Sequence, residues 1–332
     1  MNAKVIFRLA SLALFVGVFH LTLGSAFPQS YPTKPISFVC PWGPGTSTDV
    51  PARIIGEKLS KNLGQPVVVE NRVGGAGIIG CEAVVKAPPD GYTIGIIATS
   101  IGVNSQITKV SFDLIKDFEP VIFIGTSPVV LIAHPSVPAT SVRELVALAK
   151  SKPGKLNCAA GALGGTGHVW LEMFKMNAGI DIVPIFYKNT PDAIADVLEG
   201  RVDIWLPNTV AALPHYKAGK VKALGLSGTY PKRSLLMPEV PTMTESGFPD
   251  MDKFYTWLAI VSPAGTPKRI VTQLNSEIRK ILEMPDVKER MVGVGVELRS
   301  GTPEELSSFL KAEMERLGKM IKAIKDTGVR FE

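Results

Sequence analysis

Short apolar runs alternate along the chain with longer stretches of helical periodicity, and this alternation restricts the fold more than any other sequence feature. A strand–helix–strand repeat builds parallel sheets that are covered by helices on both faces. Because 332 residues exceed what one hydrophobic core accommodates, we expect two such α/β domains. The predicted strands are Ile36–Cys40, Pro66–Glu70, Tyr92–Ala98, Val121–Ile124, Val129–His134, Leu156–Ala159, Val183–Phe186, Val202–Leu206, Ala223–Leu226 and Trp257–Val261.

The chain is expected to pass between the two domains at two places. One is the segment 125–128, which separates two apolar runs, and the other is the proline-rich, turn-rich stretch 228–252. The sequence therefore predicts a discontinuous first domain, residues 27–127 and 251–332, and an inserted second domain, residues 128–250. The C-terminal helix is expected to cross onto the second domain. Two doubly wound α/β lobes joined by two crossover strands form a cleft that opens and closes.

Residues 1–26 have the pattern of a signal peptide. Lys4 and Arg8 precede an apolar run over residues 9–23, and small residues follow at 24–26. An N-terminal membrane anchor is the alternative, since the run is nearly long enough to span a bilayer. We expect cleavage and export, because the small residues and then a proline follow the run directly.

The charged and metal-binding residue types exclude several function classes. The formal charge is +6, and it falls to +4 when Lys4 and Arg8 are removed with the signal peptide. The remaining basic residues are dispersed, which argues against nucleic-acid binding. Three cysteines rule out a disulfide scaffold, although export leaves a bridge between Cys40 and Cys81 open. We find no metal-ligand spacing, no catalytic nucleophile–base motif and no sign of a cofactor.

Three strand-to-helix turns are rich in Gly, Ser and Thr, and we name them the first loop (41–49), the second loop (71–77) and the third loop (160–168). Glycines let the backbone approach a ligand, and the following helix presents unpaired N–H groups at the positive end of its dipole. Hydroxyls of Thr46, Ser47 and Thr166 add donors. The first and third loops fall in different predicted domains, so together they predict a cleft site for a small anion.

Several side chains in these loops have both a structural and a functional interpretation. Asp49 is suited to capping its helix, to orienting a hydroxyl, or to binding a ligand amine. His168 is placed to donate to a ligand or to stabilise a helix start, and Trp42 to stack on a ligand or to cover the cleft. The sequence leaves these alternatives open.

The second loop also matches the glycine pattern of dinucleotide-binding proteins, through Gly75, Gly77 and Gly80. That fold requires an acidic residue at the end of the next strand to bind the ribose. Here the strand ends in Thr99 and Ser100, so close packing of a helix explains the glycines better.

Taken in order, motifs spread over essentially the whole mature chain resemble the solute-binding proteins of tripartite tricarboxylate transporters, the Bug or TctC family. The motifs are Tyr31–Ile36, the proline- and glycine-rich loop Pro41–Asp49, Leu63–Arg72, Pro89–Thr93, Lys116–Val121, Tyr187–Lys188, Gly200–Asp203, Pro238–Thr242 and Pro263–Pro267.

The resemblance implies a two-lobed, type II-like periplasmic binding protein that carries a small carboxylate in its cleft to a membrane permease, with no cofactor and as a monomer. It also implies a set of ligand contacts. In the first lobe these are Trp42, Gly45, Thr46, Asp49, Thr99, Ser100 and Asn104; in the second they are Gly165, Thr166, Gly167, His168, Tyr187 and Asn208.

The chain departs from the family pattern at three positions. The family usually has a second glycine at Thr46, a proline at Val73 and a glycine at Asn189. The hydroxyl and bulk of Thr46 alter the first loop, so the sequence leaves the carboxylate unidentified. A ligand-dependent signalling module is the alternative function, and a secreted enzyme is disfavoured by the missing catalytic motif.

Overall fold

The secondary structure is that of an alternating α/β chain. The computed structural model describes residues 31–187, 190–227 and 233–331, so the predicted signal peptide, residues 1–26, lies outside the described residues. The strands are β1 (Ile36–Cys40), β2 (Val67–Asn71), β3 (Thr93–Ala98), β4 (Phe118–Ala133), β5 (Asn157–Gly161), β6 (Val183–Phe186), β7 (Ile204–Trp205), β8 (Lys222–Ser227), β9 (Tyr255–Pro263) and β10 (Glu297–Leu298). The helices are α1 (Asp49–Leu63), α2 (Ile78–Val85), α3 (Thr99–Ile107), α4 (Val142–Ser151), α5 (Thr166–Ala178), α6 (Thr190–Leu198), α7 (Thr209–Lys217), α8 (Lys268–Glu283), α9 (Pro285–Gly293) and α10 (Pro303–Asp326).

The strands form two sheets. The first has the order β2-β1-β3-β9-β4, with β10 on β4, and β1 is parallel to both β2 and β3. The second contains β6-β5-β7-β4, with β8 also on β4, and β5 is parallel to β6 and β7. Parallel strands need long crossovers, which here are the helices between them. The first and third loops both follow the carboxyl ends of parallel strands, where ligands bind in open α/β sheets.

Strand β4 belongs to both sheets. Its first half pairs with β9, from Phe118 opposite Pro263 to Pro128 opposite Tyr255, and its second half pairs with β8. The sequence predicted two strands separated by a break at 125–128, which is wrong, because ladder pairing to β9 continues through this segment. The short strand β10, opposite Gly125 and Thr126, is absent from the predicted set because two residues carry no periodicity.

Helix α10 contributes to two of the hydrophobic cores that the described residues form, one beside each sheet. Leu306 and Leu310 pack with Ile97 and Trp257 of the first sheet. Further along the same helix, Leu317, Met320, Ile321 and Ile324 pack with helix α5 and strand β5 of the second. The three- and four-residue spacing of these positions places them along one helix face. The domain boundaries themselves stay a prediction.

No helix in the described ranges is both long and apolar enough to cross a membrane.

Candidate functional site

The first loop is folded by hydrogen bonds of its own residues. Gly45 adopts a left-handed conformation (φ 77°), and its N–H donates to Asp49 Oδ2 at 2.9 Å. The Thr46 hydroxyl donates to the carbonyl oxygen of Gly43 at 2.8 Å and accepts from the N–H of Asp49 at 3.3 Å. The N–H groups of Ser47 and Thr48 have no hydrogen bond within the described part of the chain. These main-chain donors, and not the Thr46 hydroxyl, are available to a ligand.

Asp49, which is itself buried, is the centre of a hydrogen-bond network that holds the first loop to strand β2. The residue is 1% exposed, and its carboxylate accepts from Arg53 Nε at 2.9 Å and from Asn71 Nδ2 at 2.7 Å. Asn71 also donates to the carbonyl oxygen of Trp42 and accepts from Arg53 Nη2, both at 2.8 Å. Burial alone would raise the pKa of Asp49, but the donors from Arg53, Asn71 and Gly45 outweigh it and lower that pKa. Asp49 is therefore an ionised group that accepts hydrogen bonds from Gly45, Arg53 and Asn71 of the same chain.

The second loop packs against the first loop and the start of helix α3. A Cβ atom on Gly77 would lie 2.6 Å from Ile101 Cδ1 and 3.2 Å from Trp42 Cζ2. Asn104 donates to the carbonyl oxygen of Ala76 at 3.0 Å. A Cβ atom on Gly80 would lie 2.7 Å from Pro41 Cα. Close packing therefore accounts for these glycines.

Two hydroxyls at the start of α3 have different environments. Thr99 is buried, and its hydroxyl accepts from the N–H of Trp257 at 2.7 Å and donates to the carbonyl oxygen of Tyr255 at 3.3 Å. The Ser100 hydroxyl is half-buried and has no hydrogen-bond partner among the described residues. Thr99 therefore connects α3 to strand β9, and Ser100 is the donor that a ligand can reach.

The third loop leads into helix α5 by tight turns. A Cβ atom added to Gly165 would lie 2.9 Å from the carbonyl oxygen of Ala162. One added to Gly167 would lie 2.9 Å from the carbonyl oxygen of Ala160. The N–H groups at the start of α5 have no intrahelical partner. The side chain of Thr166, the first helical residue, is half-buried and lacks a hydrogen-bond partner within the described ranges. The loop therefore presents main-chain donors and one free hydroxyl.

His168 lies in the first turn of α5 and faces the protein interior. It is 3% exposed, and its ring makes edge-to-face contacts with Phe186 and Phe331, at centroid distances of 4.9 and 5.2 Å. Nδ1 accepts from the N–H of Gly164 at 3.2 Å, and Nε2 lies 3.8 Å from Glu172 Oε1. Burial lowers the pKa of His168. The imidazole is therefore neutral near pH 7, with its proton on Nε2.

Tyr187 and Asn208 make hydrogen bonds to helices α6 and α7, respectively. The Tyr187 hydroxyl donates to Asp196 Oδ2 at 2.6 Å, and burial together with this bond raises the pKa of Tyr187 to about 12. Asn208 caps helix α7, since its Oδ1 accepts from the N–H of Ala211 at 3.2 Å.

The sequence profile described as the tripartite tricarboxylate transporter family receptor matches residues 51–325. The chain belongs to this receptor family. BugT of Bordetella pertussis is 34% identical over 98% of this chain and 100% of its own. Rpa4515 of R. palustris, solved with adipate, is 33% identical with a TM-score of 0.78, over 89% of this chain and 98% of its own. MatC of Rhodopseudomonas palustris, solved with bound malate, is 27% identical with a TM-score of 0.74, over 88% of this chain and 100% of its own.

Family membership confirms the predicted two-lobed periplasmic binding protein fold and the resemblance stated above. The matching profile describes a receptor, and the relatives named above are not described as enzymes. Among the residues that the structure describes, no group of three His, Cys, Asp or Glu side chains is placed to hold a metal ion. Cys40, Cys81 and Cys158 are all free and buried.

Hydrogen bonds and packing place the residues inferred from the family in two groups. The first group connects the first and second loops to α3, and it contains Trp42, Asp49 and Asn104. The second group includes Tyr187 and the third loop, since the N–H of Tyr187 donates to the carbonyl oxygen of Gly161 at 2.9 Å. The groups adjoin where a Cβ atom on Gly164 would lie 3.7 Å from Ile107 of α3. Asn189, one of the departures from the family pattern, lies outside the described residues.

Three residues that organise the loops are missing from the predicted site. Arg53 was detectable, since it follows Asp49 by four positions on a predicted helix. Asn71 and Phe331 had no such signal, because their partners are distant in the sequence.

Proposed function

We propose that the mature protein is an exported solute-binding protein that captures a small carboxylate in the cleft between its lobes. The observation that carries this proposal is the set of unpaired main-chain N–H groups in the first and third loops, at two helix starts. Such groups bind anions. Two related structures, one solved with adipate and one with bound malate, support a carboxylate as the ligand.

The proposed contacts are divided between main-chain and side-chain groups. Main-chain N–H groups of Ser47, Thr48, Thr166 and Gly167 bind carboxylate oxygens, and the Ser100 and Thr166 hydroxyls add donors. The Trp42 ring covers the ligand. The lobes comprise residues 27–127 with 251–332, and 128–250.

The proposed cellular role is delivery of this carboxylate to the membrane permease of a tripartite tricarboxylate transporter. Residues 1–26 direct export and are removed, so the carrier acts in the periplasm as a monomer. Pull-down of the permease subunits by the loaded protein, but not by the empty protein, tests delivery.

A thermal-shift screen of the mature protein against mono-, di- and tricarboxylates tests the ligand class. A carboxylate at 100 times its Kd stabilises the folded state by about 2.7 kcal/mol. Stabilisation by neutral sugars or amines, with no response to any carboxylate, contradicts the proposal. Turnover of a bound carboxylate would indicate an enzyme instead.

Replacement of a single hydroxyl tests the third loop. Thr166→Ala is expected to weaken carboxylate binding by about 1 kcal/mol, roughly fivefold, because one neutral hydrogen bond is lost. The control is Thr272→Ala, at an exposed position within α8, which keeps full affinity. Equal affinities of both variants remove Thr166 from the site.

A further inference from the structure

The first and third loops are built in the same way. Each has a glycine in the left-handed conformation, Gly45 with φ 77° and Gly164 with φ 69°. The N–H of each glycine donates to a side chain four residues later, in the first turn of the helix: Gly45 to Asp49 Oδ2 at 2.9 Å, and Gly164 to His168 Nδ1 at 3.2 Å. The two acceptor side chains are the ionisable residues of these loops.

Asp49 has no acceptor capacity directed at a ligand. Its two oxygens already accept from Gly45, Arg53 and Asn71, and Arg53 compensates its charge. With an exposed fraction of 1%, the carboxylate is also out of reach of a ligand that enters from solvent.

His168 is also buried, with an exposed fraction of 3%, and its acceptor nitrogen is already used. Nδ1 accepts from Gly164, the ring makes edge-to-face contacts with Phe186 and Phe331, and Nε2 lies 3.8 Å from Glu172 Oε1. Glu172 in turn pairs with Lys175 at 2.9 Å.

The remaining proposed contacts contain no anionic group for a ligand. Asp49 is the single carboxylate in the three loops, residues 41–49, 71–77 and 160–168. The nearby Asp196, which accepts from Tyr187, is paired with Arg201. A ligand ammonium would therefore lose water without gaining a counter-charge, which is strongly unfavourable.

We propose that Asp49 and His168 are positioning residues that hold the N–H groups of the two loops in binding geometry, and that the ligand is a carboxylate without an ammonium group. This inference rests on the proposed function, and it names the substrate class. Dicarboxylates and hydroxy acids bind, and amino acids of the same size are rejected.

Matched acids that differ only in one substituent test the substrate class. Malate and aspartate share a carbon skeleton, as do 2-hydroxyglutarate and glutamate, and adipate and 2-aminoadipate. By titration calorimetry on the mature protein, the ammonium-free member of a binding pair is expected to bind at least tenfold more tightly. Equal or tighter binding of the amino acid overturns this inference and leaves the proposed function standing. Absence of binding by every carboxylate overturns both.

Two substitutions of His168 test its positioning role. His168→Asn keeps a non-titrating acceptor near the Nδ1 position, whereas His168→Leu keeps the bulk and removes the acceptor. The Asn variant is expected to stay within threefold of the wild-type affinity, and the Leu variant to lose at least tenfold. Circular dichroism verifies that both fold. Wild-type affinity in a folded Leu variant, or equal losses in both variants, overturns the positioning role.

Discussion

The ring of Phe331 is expected to contribute to stability as strongly as a central core residue. It is 6% exposed, packs against His168 and lies in the core around α5. Phe331→Ala removes a buried ring and leaves a cavity beside the imidazole. Substitutions of this type cost about 3–5 kcal/mol, and we expect about 3 kcal/mol because the ring keeps a small exposed fraction. Against a total stability of roughly 5–15 kcal/mol this is a large fraction.

Urea unfolding followed by tryptophan fluorescence measures this difference at constant m-value. Phe186→Ala is the matched control, since Phe186 packs against the same imidazole at 4.9 Å but is 44% exposed. Its truncation is expected to cost about 1 kcal/mol or less. Equal losses in the two variants, or a loss below about 1 kcal/mol for Phe331→Ala, would refute the reasoning from burial.

Three further predictions concern packing, ionisation and thiol reactivity. Gly80→Ala places a Cβ atom 2.7 Å from Pro41 Cα and 2.9 Å from the carbonyl oxygen of Arg72, so denaturant unfolding should show a loss of about 1–3 kcal/mol. Gly43→Ala, with nothing within 4 Å, is the control, and equal losses would contradict this explanation. The pKa of Tyr187 is raised to about 12. The contribution of its hydroxyl to the free energy of unfolding is therefore complete below pH 10 and is lost as the pH rises toward 12. In urea titrations between pH 10 and pH 12, the stability difference between wild type and Tyr187→Phe should therefore shrink. A difference that stays constant over this range would contradict the predicted ionisation of Tyr187. Burial raises the pKa of Cys40 to about 11 and of Cys81 to about 12, and Cys158 is buried as well. A thiol reagent should therefore label no cysteine in the native protein and all three in urea. Rapid labelling of the native protein would show that the thiols are accessible.

The strands and glycine loops were predictable because their signals are local. The runs at 36–40 and 183–186 have the observed bounds, and the first and third loops follow strands and precede helices as expected. Glycine-rich turns and apolar runs depend on neighbouring residues alone, so they can be recognised before the fold is known.

The partners of the loop side chains were not predictable, because those contacts form only in the folded chain. Asp49 and Asn71 are 22 positions apart, and Phe331, which contacts His168, lies near the C-terminal end of the sequence. The same limit applies to β4, whose continuity depends on pairing with β9. Residue type predicted that Asp49 and His168 matter, but it left open whether they face the ligand or the protein.

Helix α10 has a consequence for the order in which the molecule can be completed. Ribosomes synthesise residues 303–331 after every other residue that fills the two cores, yet this segment supplies Leu310 to one core and Leu317, Ile324 and Phe331 to the other. Neither of these cores can therefore bury its full apolar surface while the chain is still growing. A chain that still lacks this helix therefore has two unfinished cores, and its folding is completed only when the last helix has been made.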